Sequence, residues 1–329
     1  MLRKVLAAGT AVAALLLVNP APASAIVNGL PDGGAHPYVG QLLFYVPDEV
    51  DSRFDDPGAW FTCSGTLLDA DTVLTAGHCT YGIGTDGTAP AEPPTIGDLN
   101  GGTDVWISFE EEPDFGILPP SKGFVPDNNA GRYAAWSAAL DATSTWHRAA
   151  AYSHPQYNDA AFLLYDLGVL ELAAPVKGIT EFGRLPALGL LDTLSKNKKQ
   201  TYQPVGYGLE KSGPMTAEGG DTRRKAVQSL VSINGAFGYG KGVSAKFSSN
   251  NGKPHTGGTC FGDSGGPIFQ GTFGFLDASG AASASLVVPA GTNPTLAGLQ
   301  LHHAGLVLDL AAGGIAVHAT NPVPLTLAP

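Results

Sequence analysis

Three separated segments carry residue types from which a nucleophilic site can be built. In Gly262-Asp263-Ser264-Gly265-Gly266-Pro267 a serine sits among glycines. With no Cβ to block the turn, backbone N–H groups can come close to a reacting carbonyl. Those of Gly262 and Ser264 would then stabilise a developing oxyanion, usually the largest single contribution to catalysis. In Leu74-Thr75-Ala76-Gly77-His78-Cys79 an imidazole follows a short apolar run. In Tyr165-Asp166-Leu167-Gly168-Val169-Leu170-Glu171-Leu172 a carboxylate enters one. An acidic group there is costly to bury without a partner. It either faces water at a strand end, or it is buried and accepts an imidazole N–H, fixing the tautomer. Cys63 and Cys79 enclose a loop whose length suits a disulfide. Such a bond would brace the strand leading into His78 and contribute roughly 3 kcal/mol in the chain-entropy model. A zinc site is disfavoured, because no second Cys-x-x-Cys or histidine pair lies nearby.

These side chains need a frame, and the composition favours strands. Only 14% of the 329 residues are charged, while Gly (44) and Pro (25) are frequent, which points to strands and turns rather than long surface helices. Residues 38–44 and 65–68 read as strands. Residues 81–131 read as long loops around a strand at Val105-Trp106-Ile107. The acidic cluster Glu110, Glu111, Glu112 and Asp114 there reads as a solvated face rather than a calcium loop. Strands are expected again at 162–172, 203–207 and 226–233, so the chain is expected to be all-β. The net charge of -11 argues against a nucleic-acid or anionic-membrane partner. Arg3 and Lys4, the apolar run 5–18 and Ala23-Ser24-Ala25 read as a signal peptide over residues 1–25. The run is too short to span a bilayer comfortably. The mature chain is therefore expected to be secreted, extracellular and soluble, in a compartment that permits disulfides. From Ile268 onward the only charged residues are Asp277 and Asp309.

Together the three segments resemble the signatures of the trypsin-like (chymotrypsin-fold) serine proteases, in that family's order of His, Asp and Ser. Ile26-Val27-Asn28-Gly29, His154-Pro155 with Tyr157-Asn158, and Pro204-Val205-Gly206-Tyr207-Gly208 extend the resemblance across 26–269. It implies one peptidase domain over 26–329, made of two six-stranded antiparallel β-barrels with the active site in the cleft between them. It implies His78 as general base, Asp166 as its orienter, and Ser264 as the nucleophile that forms an acyl-enzyme. Gly262 and Ser264 would form the oxyanion hole. Polypeptide substrates and protein protease inhibitors are the implied partners, with no cofactor and no metal. In the family a free N-terminal amine inserts beside the acidic residue before the nucleophile, here Asp263. Signal cleavage after Ala25 would itself expose Ile26, so the Ile26–Asp263 ion pair is expected to form on export, without a separate zymogen.

The chain departs from the family pattern in two places. Cys260 is the third and last cysteine, so it is a free thiol, an intermolecular link or the orphan of a lost disulfide. Residues 270–329 lack a Ser-Trp-Gly-like strand and a closing amphipathic helix, which leaves a divergent last strand set or a shifted reading frame after Phe269. Gly258 stands where trypsins carry an Asp; with Thr259 and Phe261 it is expected to border the substrate, favouring a neutral or apolar P1 residue. Two other readings compete. The glycine-serine turn also fits an α/β-hydrolase elbow, with Asp277 and His302 or His303 as partners, but that fold needs a parallel sheet wrapped by helices. The alternative to an enzyme is a catalytically inactive protease-fold binding module. Such modules commonly lose a triad residue, and this chain keeps all three.

Overall fold

The computed structural model describes residues 26–52, 54–90, 101–124, 128–162, 164–186, 190, 201–213, 216–233, 244–249 and 256–271, and strands at 300–303, 306–309, 315–319 and 323–326. The signal-peptide assignment lies outside the described residues. By its internal contacts the chain divides into two units, residues 1–273 and 274–329. No helix of the described residues is long and apolar enough to cross a membrane.

The first unit opens with the short strand β1 (Leu30–Pro31), followed by β2 (Val39–Val46), β3 (Ala59–Leu67), β4 (Thr72–Thr75) and β5 (Val105–Ser108). Helix α1 (Asn129–Asp141), β6 (Trp146–Ser153) and β7 (Gly168–Leu172) come next. Strands β2 to β7 close into a six-stranded barrel in the order β2-β3-β4-β7-β6-β5. The side-chain alternation of a strand explains the closure. Leu42 and Phe44 of β2 point inward with Leu67, Val73, Ile107 and Leu170. Leu43, between them, points outward and packs with Trp106, Leu140 of α1 and Trp146. Both faces of β2 are therefore covered, and its sequence VGQLLFYV is apolar almost throughout instead of alternating.

Helix α1 was not expected from the sequence. Its apolar stripe is narrow, limited to Tyr133, Trp136 and Leu140, and two of its buried residues, Asn129 and Arg132, are polar. Arg132 is paired: its guanidinium lies 3.0 Å from Asp51 and 4.0 Å from the centre of the Phe54 ring. The helix starts where Asn128 accepts the Gly131 N–H, a side-chain N-cap.

The second half of the first unit contains β8 (Thr201–Gly206), β9 (Leu209–Gly213), β10 (Thr216–Gly219), β11 (Arg224–Lys225), β12 (Leu230–Ser232), β13 (Lys246–Phe247) and β14 (Ile268–Gly271). Among the described residues these do not close a second barrel. They form a four-stranded sheet, β1-β11-β8-β14, and two separate pairs, β9 with β10 and β12 with β13. Three of the strands, β11, β12 and β13, are only two or three residues long, which limits the ladder each can offer. In the second unit β15 (Gln300–His303) pairs with β18 (Val323–Thr326), and β16 (Leu306–Asp309) with β17 (Ile315–Ala319). Every named strand pair is antiparallel, which removes the α/β-hydrolase reading.

Barrel and sheet are joined through Arg223, whose side chain is 2% exposed. Its Nε donates to Asp32 at 3.0 Å, and its Nη1 donates to the carbonyls of Val39 and Phe109 and to the Tyr207 hydroxyl. Burial alone would raise the Asp32 carboxyl, but the hydrogen bonds and charge of His36, together with Arg223, hold it at about 2. Replacing Arg223 by Ala leaves Asp32 a buried carboxylate deprived of its guanidinium. We expect Arg223→Ala to cost about 3–5 kcal/mol in denaturant unfolding, with Arg223→Lys recovering part of the loss.

Candidate active site

Strand register brings the histidine and the aspartate together. Thr75, the last residue of β4, pairs with Gly168, the first of β7. The segment leaving β4 and the segment entering β7 therefore run side by side. A Cβ on Gly168 would lie 2.5 Å from the Ala76 carbonyl oxygen, so only glycine permits this approach. His78 sits in a single 3-10 turn, Gly77–Cys79. Its backbone N–H donates to Asp166 Oδ1 at 2.8 Å, and its Nδ1 lies 2.9 Å from Asp166 Oδ2. A carboxylate only accepts, so Nδ1 carries a proton, and in the neutral ring the lone pair is on Nε2. Asp166 is about one-fifth exposed, between the water-facing and the buried alternatives. The centre of the Phe162 ring lies 4.7 Å from that of the imidazole.

Cys63 and Cys79 form a disulfide that joins β3 to the turn bearing His78. The ligand atoms of Cys63, His78 and Cys79 lie within 4.8 Å of one another. A disulfide sulfur is not a thiolate, however, so the group does not offer a zinc site. Two members of the acidic cluster accept backbone N–H groups: Glu111 that of Gly33 at 2.6 Å, and Asp114 that of Gly116 at 2.8 Å.

The serine loop is fastened to the barrel through Ser64, a wholly buried residue of β3. The Ser64 N–H donates to the Ser264 carbonyl, and its hydroxyl donates to the Gly262 carbonyl, both at 2.8 Å. The same hydroxyl accepts the Tyr207 N–H at 3.0 Å, while Thr75 donates to the Ser64 carbonyl at 2.9 Å. Gly262 and Gly265 both adopt positive φ, +96° and +78°, which glycine alone tolerates without strain. Nothing in the sequence singled out Ser64; its only signal is its place beside Cys63 in a buried strand.

Asp263 is 5% exposed and accepts the N–H groups of Gly208 and Cys260, each at 2.8 Å. Burial pushes its carboxyl up to about 6, and these two hydrogen bonds only partly offset that. Ile26 is completely buried, and the carbonyl of the next residue, Val27, accepts the Gly258 N–H at 3.3 Å. Among the residues expected to border the substrate, Gly258 is buried, and a Cβ there would lie 2.9 Å from Ser249. Thr259 is exposed. Phe261 is 74% exposed and lines a cavity of 710 Å³ whose wall also contains His78, Gly262 and Ser264. Cys260 is a free, half-buried thiol.

A family model described as Trypsin matches residues 132–297, a span that includes Asp166 and Ser264 and runs past Phe269. No curated protein matches the chain. Among solved structures, HL collagenase is 17% identical, with 74% of this chain and 81% of that one covered and a TM-score of 0.44. The scabies mite inactivated protease paralogue S-D1 is also 17% identical, with 74% and 82% covered and a TM-score of 0.44. A protein named GrC is 16% identical, with 74% and 84% covered and a TM-score of 0.43.

A carboxyl held at about 6, above its ordinary 3.8, favours the folded state only while protonated. That contribution is full below pH 3.8 and is lost as pH rises through 6. In the uncleaved chain we therefore expect the stability of wild type relative to Asp263→Ala to fall by about 3 kcal/mol between pH 3.5 and pH 7, measured by denaturant unfolding at each pH.

Proposed function

The chain belongs to the trypsin family, and from that premise we propose that it is a secreted serine endopeptidase whose triad is His78, Asp166 and Ser264. The observation that carries the reading is the Asp166 carboxylate 2.9 Å from His78 Nδ1, with His78 and Ser264 lining one cavity. In this mechanism His78 Nε2 takes the proton of the Ser264 hydroxyl as its oxygen attacks the scissile carbonyl. The oxyanion that forms is met by the N–H groups of Gly262 and Ser264. The tetrahedral intermediate collapses to an acyl-enzyme as His78 returns the proton to the leaving amine. Water, deprotonated by the same imidazole, then frees the acid and restores Ser264. Asp166 stays ionised throughout and stabilises the imidazolium.

The proposal extends to maturation. Residues 1–25 are removed as a signal peptide on export, leaving a peptidase domain over 26–329 whose later strands complete a second barrel. The new Ile26 amine then pairs with Asp263, a buried carboxylate for which ionisation in the intact chain is unfavourable. Polypeptides are the substrates, protein protease inhibitors are natural partners, and Gly258, Thr259 and Phe261 border the substrate, with a preference for neutral or apolar P1 residues.

The test is hydrolysis of peptides with basic, aromatic and small P1 residues by purified protein beginning at Ile26, with labelling by a serine phosphonate. We expect Ser264→Ala to abolish labelling and lower turnover by about a thousandfold or more, and Asp166→Asn to lower it by about ten-thousandfold. An inactive binding module would show neither labelling nor any difference between wild type and Ser264→Ala.

A further inference from the structure

The cavity beside the triad has a composition that the catalytic reading does not require. Trp60, Phe61, Tyr81, Phe162 and Phe261 contribute to its wall. Three of these present unusually bare rings, since Phe61 is 40%, Phe162 47% and Phe261 74% exposed. Two carboxylates, Glu49 and Asp159, stand in the same wall, and among the described residues no lysine or arginine lines it. Both acids lie at the surface, Glu49 beyond the end of β2 and Asp159 accepting the Tyr157 hydroxyl at 2.9 Å. Aromatic faces attract a cation, and the delocalised, weakly hydrated guanidinium stacks on them better than an ammonium does. Carboxylates beside such faces add charge complementarity and repel an acidic side chain.

The chemistry of acyl transfer decides which half of the substrate enters. When the tetrahedral intermediate collapses, the bond from the carbonyl carbon to the amine nitrogen breaks, and that nitrogen takes its proton from His78. The leaving half must therefore lie on the side of His78. The cavity runs from His78, Gly262 and Ser264 along Thr62 and Phe61 of β3, while Gly258 and Thr259 are absent from its wall.

We propose that this cavity receives the leaving-group half of the substrate and selects a polypeptide with an arginine immediately after the scissile bond. The proposal rests on the serine-peptidase reading above. It makes Glu49 and Asp159 specificity residues, placed by loops that lie outside the barrel strands.

Partitioning of the acyl-enzyme tests it without knowledge of the acyl-side preference. By microscopic reversibility an added amine occupies the leaving-group site. Its nitrogen forms a bond to the acyl carbon, the ester bond to Ser264 breaks, and the amine proton passes through His78 to the serine oxygen. The protein, begun at Ile26, is acylated with N-blocked amino-acid esters of apolar, aromatic and basic types. Argininamide, leucinamide, phenylalaninamide or glutamic acid amide is then supplied, and the ratio of amide to acid product is measured. Argininamide is expected to exceed leucinamide by about tenfold, with glutamic acid amide weakest. Glu49→Gln and Asp159→Asn are each expected to lower the arginine-to-leucine ratio about threefold. Equal partitioning of argininamide and leucinamide, or a ratio untouched by both substitutions, would overturn the proposal while the burst of acylation still upheld the peptidase reading. Absence of a burst with every ester would overturn the peptidase reading and this inference with it.

Discussion

The guanidinium of Arg223 is almost wholly removed from water, and the first unit is arranged so that it can be. One of its nitrogens reaches the carbonyl that opens β2, the carbonyl just after β5, and the Tyr207 hydroxyl; another meets Asp32. A charge buried this far is tolerable only with its partners in place. The start of β2, the end of β5, the segment after β1 and the turn after β8 are thereby held in one geometry. Tyr207 passes the constraint on, since its backbone N–H bonds to the Ser64 hydroxyl that also grips the serine loop. The serine loop is thus tied, through Tyr207 and Ser64, to a buried cation.

Two carboxylates near the reaction centre illustrate how environment divides roles. Asp166 is partly solvated and engages both a ring nitrogen and a backbone N–H of His78. Asp263 is shut away with two backbone donors, which do not fully compensate its burial. The second, whose carboxyl burial raises, is suited to register the arrival of a positive group. Gly206 and Gly208 flank Asp263 so closely that a Cβ on either would collide with its carboxylate, which ties the glycine-aromatic-glycine run of β8 to the same site.

The chemical residues were readable because each sits in a short motif whose spacing is local. Their meeting was not, because it depends on the pairing of Thr75 with Gly168, a register that neither segment encodes alone. Strand β2 stood out as a continuous apolar run for the good reason that both its faces are covered. Helix α1 was lost to the opposite cause: its contact face includes a buried arginine and asparagine whose partners, Asp51 and the carbonyls near Gly58, lie some seventy to eighty positions away. The strands after residue 200 were expected to close a barrel on the strength of family resemblance alone, and their short ladders form an open sheet in the described residues. Ser64 carried no pattern, since one hydroxyl in a strand is unremarkable until the loop it holds is known.

A protein that cuts polypeptides carries a hazard in its own glycine-rich turns, which are the segments a peptidase most readily pulls into an extended conformation. The turn around Ser264 has five glycines from 257 to 266 and the exposed Phe261 at its rim, yet hydrogen bonds fasten it to the strands beneath. Ser64 holds the carbonyls on either side of Asp263, Leu209 donates its N–H to the Phe261 carbonyl, and Val205 donates to that of Pro267. Drawing this loop into a peptidase's cleft would mean opening the barrel strand beneath it, so its protection from cleavage is tied to the barrel's global stability rather than to the loop's own sequence.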